Sequence, residues 1–308
     1  MADQGEFAVA GTLGMLAEAL PAAPATVCEV GAGRGALAAA LVVAGYEVTA
    51  LEPDPVGAAA ARSRGVRVAE EGLLEHRGGP YDVVLFTRSL HHIEPLGGAV
   101  DRALDLLRPG GRLVLEEFAR DRADRLAASF LYDTFALLYA AGLLVDDDEP
   151  GAGDDDESSA GDDDEDAAGA GAENGAGGAG GNDEIRGTGE AGRAGAGGRH
   201  AHRGRRVIDA AAIEPSDDPW QRWEQHFRPE PDRPLHAVGE ILAVLKERGL
   251  TVTERTTPAL WRMLVHDLKD VPEAGEIARR LRAIETRRID EGTLPATGVV
   301  LTAVPAGT

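Results

Sequence analysis

Apolar positions along this chain keep two rhythms that take turns. Continuous apolar runs of strand length occur at Val27 to Val30, Tyr46 to Leu51, Tyr81 to Phe86 and Leu113 to Leu115, and such runs suit strands buried on both faces. Between them lie stretches with helical spacing, Ala36 to Ala44 and Gly98 to Leu107. Strand alternating with helix predicts an α/β sheet of parallel strands covered by helices. Pro109-Gly110-Gly111 should stop the second of these helices and turn the chain into its next strand. Beyond it, Asp124 to Gly142 reads as a helix carrying Phe130, Tyr132, Phe135 and Tyr139. Near the end, Val238 to Arg248 reads as an amphipathic helix stopped by Gly249. Leu250 to Thr256 then alternates like a strand. A charged helix, Ala274 to Asp290, leads through Gly292 and Pro295 into a last strand, Val299 to Val304.

Neither rhythm is present between residues 146 and 206. Three acidic clusters stand there, Asp146 to Glu149, Asp154 to Glu157 and Asp162 to Asp166, followed by a Gly/Ala tract and a basic end from Arg199 to Arg206. With 17 acidic residues against six arginines, this stretch is predicted to stay disordered, because it cannot bury enough apolar surface to offset its ordering entropy. It lacks the alternating ligands and central glycine of a calcium loop, and no dedicated metal site is expected. The predicted organisation is therefore residues 1–145 as the first half of a domain, 146–206 as an acidic insertion, and 207–308 as the rest of that domain.

The net charge of −22 repels nucleic acid, so none is expected as a partner. No apolar run approaches membrane-spanning length, and the N-terminus lacks the basic-then-apolar order of a signal peptide. A cytoplasmic protein without a membrane partner is expected. The single cysteine, Cys28, lies in the first strand and reads as packing. The oligomeric state is not legible.

Chemistry enters at Val27-Cys-Glu-Val-Gly31-Ala-Gly33-Arg-Gly35. Glycines two apart let a backbone turn sharply and approach a ligand, and the helix that follows offers unpaired N–H groups. Read as Gly31-x-Gly33-x-x-Ala36, the turn fits a dinucleotide fingerprint. Read as Glu29-x-Gly31-x-Gly33-x-Gly35, it resembles motif I of the class I S-adenosylmethionine-dependent methyltransferases. Glu52, closing the next strand, suits a ribose in either reading. Two later segments, Ser89-Leu-His-His-Ile93 after the fourth strand and Leu107-Arg-Pro-Gly-Gly111 before the fifth, resemble the methyltransferase family in order and spacing. The resemblance covers residues 10 to 120 and returns at the C-terminus. It implies a Rossmann-like doubly wound sheet of about seven strands, mostly parallel, closed by an antiparallel C-terminal hairpin.

The resemblance also implies a site for S-adenosylmethionine. Gly31, Gly33 and Gly35 would let the backbone approach the aminoacyl and ribose parts, and Glu29 would hold the ammonium. Glu52 would take the ribose hydroxyls, with Pro53 or Asp54 beside the adenine. Thr87 and Arg88 would lie near the methionine portion. Where the family often has an acidic residue for the adenine amino group, this chain has Gly72, so Glu71 is the candidate substitute. Ligands of such sheets lie beyond the C-terminal strand ends, which makes His91, His92, Glu116 and Glu117 the candidate bases there. His91 and His92 equally suit a packing role. Adjacent strand residues point to opposite faces, so one glutamate should face the pocket and the other the helices.

A second aromatic segment, Trp220-Gln-Arg-Trp-Glu-Gln-His-Phe227, places Trp220, Trp223 and His226 along one helical face. It reads either as a helix packed on the core or as a lid over the acceptor, with His226 as polar contact or base. Trp261 could join the same wall or pack in the core. The function expected is methyl transfer to a small-molecule acceptor. An RNA or protein methyltransferase, a nicotinamide enzyme and an idle cofactor-binding scaffold stay open as alternatives.

Overall fold

The computed structural model describes residues 4–145, 217–228 and 235–305. The predicted acidic insertion, 146–206, lies outside them. Along the chain run α1 (Gln4–Leu16), β1 (Thr26–Val30), α2 (Ala36–Val43), β2 (Glu47–Leu51), α3 (Pro55–Ser63), β3 (Arg67–Ala69), β4 (Tyr81–Thr87), α4 (Leu96–Asp105), β5 (Leu107–Phe118) and α5 (Arg125–Ala140). After these come α6 (Pro219–His226), α7 (Val238–Glu247), β6 (Leu250–Thr257), α8 (Leu260–His266), α9 (Ala274–Asp290) and β7 (Gly298–Pro305).

The seven strands form one sheet in the order β3-β2-β1-β4-β5-β7-β6. The first five pair in parallel, and β7 runs antiparallel to both β5 and β6. This is the α/β architecture expected, with its antiparallel C-terminal hairpin. The parallel strands carry apolar residues on both faces because helices cover both. Val84 and Phe86 of β4 join Cys28, Leu113, Leu115 and Leu301 beneath α4 and α7. Val83 and Leu85 point the other way, to Val27, Val114 and the residues of α1 and α2. A third cluster gathers Phe130 and Phe135 of α5, Trp223 of α6, Trp261 of α8 and Leu281 of α9, with Phe118 packed against it.

The helix expected over Gly98 to Leu107 begins and ends earlier, at Leu96 and Asp105. Tyr81 donates its backbone N–H to the carbonyl of Leu106 at 2.8 Å, and Leu107 pairs with Tyr81 as the first residue of β5. Pro109-Gly110-Gly111 thus sits inside the strand, where the register shifts between Tyr81 and Val83. A Cβ on Gly111 would lie 3.0 Å from the carbonyl oxygens of Arg108 and Tyr81, so the irregularity depends on that glycine.

Candidate active site

The C-terminal ends of β1, β2, β4 and β5 share one edge of the sheet and bring Glu29, Glu52, Thr87, Arg88, Glu116 and Glu117 together there. At the end of β1 the backbone turns sharply, and both Gly31 and Ala32 donate their N–H groups to the carbonyl of Leu51 at 2.9 and 3.1 Å. Gly31, Gly33 and Gly35 all have positive φ, +70°, +55° and +74°, a region other residues enter only at a cost. Their surroundings differ. A Cβ on Gly31 would sit 2.8 Å from Cβ of Ser89, whereas one on Gly33 would meet nothing within 4 Å. One on Gly35 would collide with Cβ of Ala61 at 2.4 Å. The close approach Gly35 permits on its Cα side is to α3.

Two carboxylates flank this turn. Glu52 is buried, and its oxygens accept the N–H groups of Gly33 (2.7 Å) and Asp54 (2.9 Å). It thus ties the turn to the start of α3, which Asp54 caps through the N–H of Gly57. Glu29 is 1% exposed. One of its oxygens accepts a 3.4 Å bond from the Thr87 hydroxyl, and the other has no hydrogen-bond partner. Burial raises its pKa to about 8, because an unpaired carboxylate is costly out of water. The neighbouring Cys28 thiol is pushed up to about 12, chiefly by burial and then by the Glu29 charge, which leaves it inert.

A buried acidic oxygen without a partner beside open space at Gly33 fits the aminoacyl end of S-adenosylmethionine, whose ammonium would complete it. Glu71, the candidate for the adenine, pairs through Oε1 with Nδ1 of His76 at 2.7 Å, while Nε2 of His76 meets the Tyr81 hydroxyl at 2.9 Å. This chain of side chains holds Glu71 beyond β3 and leaves its second oxygen available.

At the neighbouring tips, strand alternation separates the two glutamates. Glu117 points toward the turn after β4, where one oxygen accepts the backbone N–H of Leu90 (3.1 Å) and the other meets Nδ1 of His91 at 2.5 Å. A carboxylate that already accepts one N–H requires the imidazole proton on Nδ1. Nε2 of His91 is then left with its lone pair, and among the described residues nothing partners it. Its ring lies 4.0 Å from that of His92. Glu116 points to the opposite face. It is 2% exposed, with Oε2 lying 3.7 Å from Nε of Arg88 and Oε1 3.7 Å from Nη1 of Arg262. It is thus flanked by two guanidinium groups.

The aromatic helix α6 packs on α5. Trp223 is 3% exposed, its ring 4.4 Å from that of Phe227 and 5.8 Å from that of Phe118 at the end of β5. It is part of the core cluster of α5, α8 and α9, in keeping with the first of the two readings of this segment. Trp220 is half-buried beside it, and His226 is exposed with its ring edge-on to Phe227. His226 takes no part in the His91–Glu117 pair. Trp261 is fully buried, between Phe7 and the guanidinium groups of Arg262 and Arg282.

Sequence reasoning missed Glu285. From α9 it accepts the N–H groups of Ala259 (2.7 Å), Leu260 (2.9 Å) and Trp261 (2.8 Å), all in the first turn of α8. Its signal was phase, since it continues the buried series Ala274, Ala278, Leu281.

A family model described as a methyltransferase domain matches residues 7–139. Over those residues the chain carries a methyltransferase domain. The dinucleotide reading of the glycine turn falls with that match, and S-adenosylmethionine is the cofactor of this family. Among relatives, this chain is 30% identical over 141 residues to a ubiquinone biosynthesis O-methyltransferase of Xylella fastidiosa, covering 43% of this chain and 55% of the other. It is 32% identical over 129 residues to a demethylmenaquinone methyltransferase of Tropheryma whipplei, covering 39% and 53%. The chain thus spans about half the length of the curated relatives it matches. A solved magnesium protoporphyrin IX methyltransferase from Synechocystis is 13% identical, covers 98% of this chain and 84% of its own, and gives a TM-score of 0.44. Among the described residues no helix is long and apolar enough to cross a membrane, and no three His, Cys, Asp or Glu side chains gather as a metal site.

Proposed function

We propose that this protein transfers a methyl group from S-adenosylmethionine to a small-molecule acceptor at the tips of β4 and β5. One observation carries the reading: the buried, unpartnered oxygen of Glu29 beside a glycine turn that is open at Gly33. When bound, the cofactor supplies an electrophilic methyl group on a sulfonium. The protein's own work is mostly placement. Glu29 and Thr87 hold the aminoacyl end, Glu52 orients the ribose end through its fixed carboxylate, and Glu71 faces the adenine side. His91, with its proton on Nδ1 toward Glu117, takes the acceptor's proton on Nε2 where the acceptor still carries one at neutral pH. Glu117 positions that ring and steadies the charge it gains. Relatives named for ubiquinone biosynthesis and for demethylmenaquinone support a small acceptor. Helix α6, with half-buried Trp220 and exposed His226, borders this edge through Phe118 and supports a lid at the acceptor side.

The test is calorimetric titration of the full chain with S-adenosylmethionine, with NADH and NADPH alongside. Binding of the sulfonium cofactor alone is expected. Binding of a nicotinamide cofactor in its place would overturn the proposal, as would cofactor binding with no methyl transfer to any member of a broad small-molecule acceptor panel.

A further inference from the structure

Arg88 is the one described residue other than glycine with positive φ, +55°. That conformation costs about 1 kcal/mol or more and persists where surroundings impose it, commonly at functional positions. Here the imposed contact is the Arg88 backbone N–H on the carbonyl of Glu116, at 2.7 Å. The side chain gains little from the protein in return. It is 53% exposed, and among the described residues its sole ion pair is the 3.7 Å contact of Nε with Glu116. Its Nη groups donate to no described acceptor.

Glu116 is already matched by a second, buried cation. Arg262 is 5% exposed, lies 3.7 Å from the other Glu116 oxygen and donates from Nη2 to the Thr12 hydroxyl at 2.8 Å. Neutralising Glu116 therefore does not require Arg88. Four residues further along α8, on the same face, His266 is 60% exposed with Nδ1 bonded to buried Asp267 at 2.8 Å. That bond raises the His266 pKa and favours the imidazolium. Arg88 and Arg262 each lie 3.7 Å from an oxygen of Glu116, and His266 stands one helical turn beyond Arg262 on α8, so the three cations occupy one neighbourhood. Three carboxylates, Glu116, Asp267 and Glu285, stand against four positive groups, Arg88, Arg262, His266 and Arg282. The surplus is positive in a protein whose net charge is −22. It lies one residue from Thr87, which touches Glu29 of the cofactor site.

We propose that the methyl acceptor carries a carboxylate or similar oxyanion, held between the exposed cations Arg88 and His266, with the buried Arg262–Glu116 pair fixing Arg88. This inference rests on the methyltransferase function proposed above. The planar fork of Arg88 suits a carboxylate through two parallel N–H bonds, and the imidazolium supplies the second side of the clamp. An acidic body repels such an acceptor at long range, so recognition must come from a local site of this kind.

The experiment is calorimetry on the full chain saturated with S-adenosylhomocysteine, using benzoate and benzamide as probes of equal ring and unequal charge. Benzoate is expected to bind about tenfold or more tighter than benzamide. Arg88→Gln and His266→Gln should each weaken benzoate about tenfold while S-adenosylhomocysteine affinity stays within about twofold. Should Arg88→Gln fail to fold, His266→Gln, altered at an exposed side chain, decides alone. Equal binding of the two probes, or no benzoate binding, overturns the inference. So does loss of S-adenosylhomocysteine affinity in Arg88→Gln, which would assign that guanidinium to the cofactor's own carboxylate. Failure of S-adenosylhomocysteine to bind the unaltered protein overturns the methyltransferase reading itself, and this inference with it.

Discussion

The β1–β2 tips and the β4–β5 tips lie on the same edge of the same sheet, yet they are built from different material. At the first, main chain does the positioning: Gly31 and Ala32 are stitched to Leu51, and Glu52 ties Gly33 to Asp54. At the second, side chains from the turn after β4, from β5 and from α8 meet across long sequence distances as Arg88, His91, Glu116, Glu117 and Arg262. A site made of backbone fails when something intrudes on it. A site made of side chains fails when the elements carrying them lose their supports.

The largest effect should come from removing such a support. Glu285→Ala would leave three N–H groups of the α8 first turn without their acceptor. Buried donors left unpaired cost heavily, and a loss of about 3–5 kcal/mol in urea unfolding is expected. A loss below about 1 kcal/mol would mean that apolar contacts alone hold α8. Gly33→Val tests the opposite region. With nothing within 4 Å of its Cβ, the new side chain enters the open space of the cofactor site. Affinity for S-adenosylmethionine should fall about 100-fold or more, while stability drops by only about 1–2 kcal/mol for the forced φ. Normal affinity would sink the assignment of the turn. Were both variants to lose stability alike and keep their cofactor affinity, the contrast between the two tips would collapse.

A smaller effect separates positioning from binding at the second tip. Glu117→Gln removes the carboxylate that holds His91 by Nδ1 and keeps the shape of the side chain. Turnover should fall about 10- to 100-fold, with cofactor affinity nearly unchanged. Unaltered turnover would leave His91 with packing alone.

The same contrast explains which parts were legible in the sequence. The glycine turn, Glu52 and the strands were legible because their signals are local: an apolar run, a turn, a closing carboxylate. Helix α9 was read to its terminal residues, yet Glu285 within it was not singled out although its phase matched Ala274, Ala278 and Leu281. Spacing put Trp220 and Trp223 on one helical face, but spacing says nothing about whether that face meets a cleft or a core, and Phe118 and Phe227 decide it for Trp223. The third motif glycine looked like its two neighbours until Ala61, distant in sequence, supplied its reason. Gly97 and Gly98, weak helix formers, hid the first turn of α4. His266 and Arg262 acquire meaning only from Arg88 and Glu116 across the sheet edge, a juxtaposition that no local pattern encodes.

Glu29 links the two regions, since it ends β1 but takes its hydrogen bond from Thr87 of β4. Its raised pKa, about 8 and caused first by burial, has two consequences of defined sign. Without cofactor, the folded carboxyl keeps a proton that an unfolded one releases near its ordinary value. The fold therefore binds more protons between roughly pH 4.5 and 8, and the contribution of Glu29 to stability falls as pH rises through that window, by at most about 1.4 kcal/mol per unit. Cofactor binding runs the other way. A cationic ammonium favours the carboxylate, so binding releases the proton and affinity rises with pH, up to about tenfold per unit between pH 6 and 7.5. Calorimetry in two buffers of different ionisation enthalpy reads the released proton directly. Glu29→Gln should abolish both slopes: its stability no longer declines toward pH 8, and its weaker cofactor binding no longer depends on pH. If the slope in affinity survives that substitution, the proton belongs to another group, and the unpartnered oxygen of Glu29 is not where the ammonium sits.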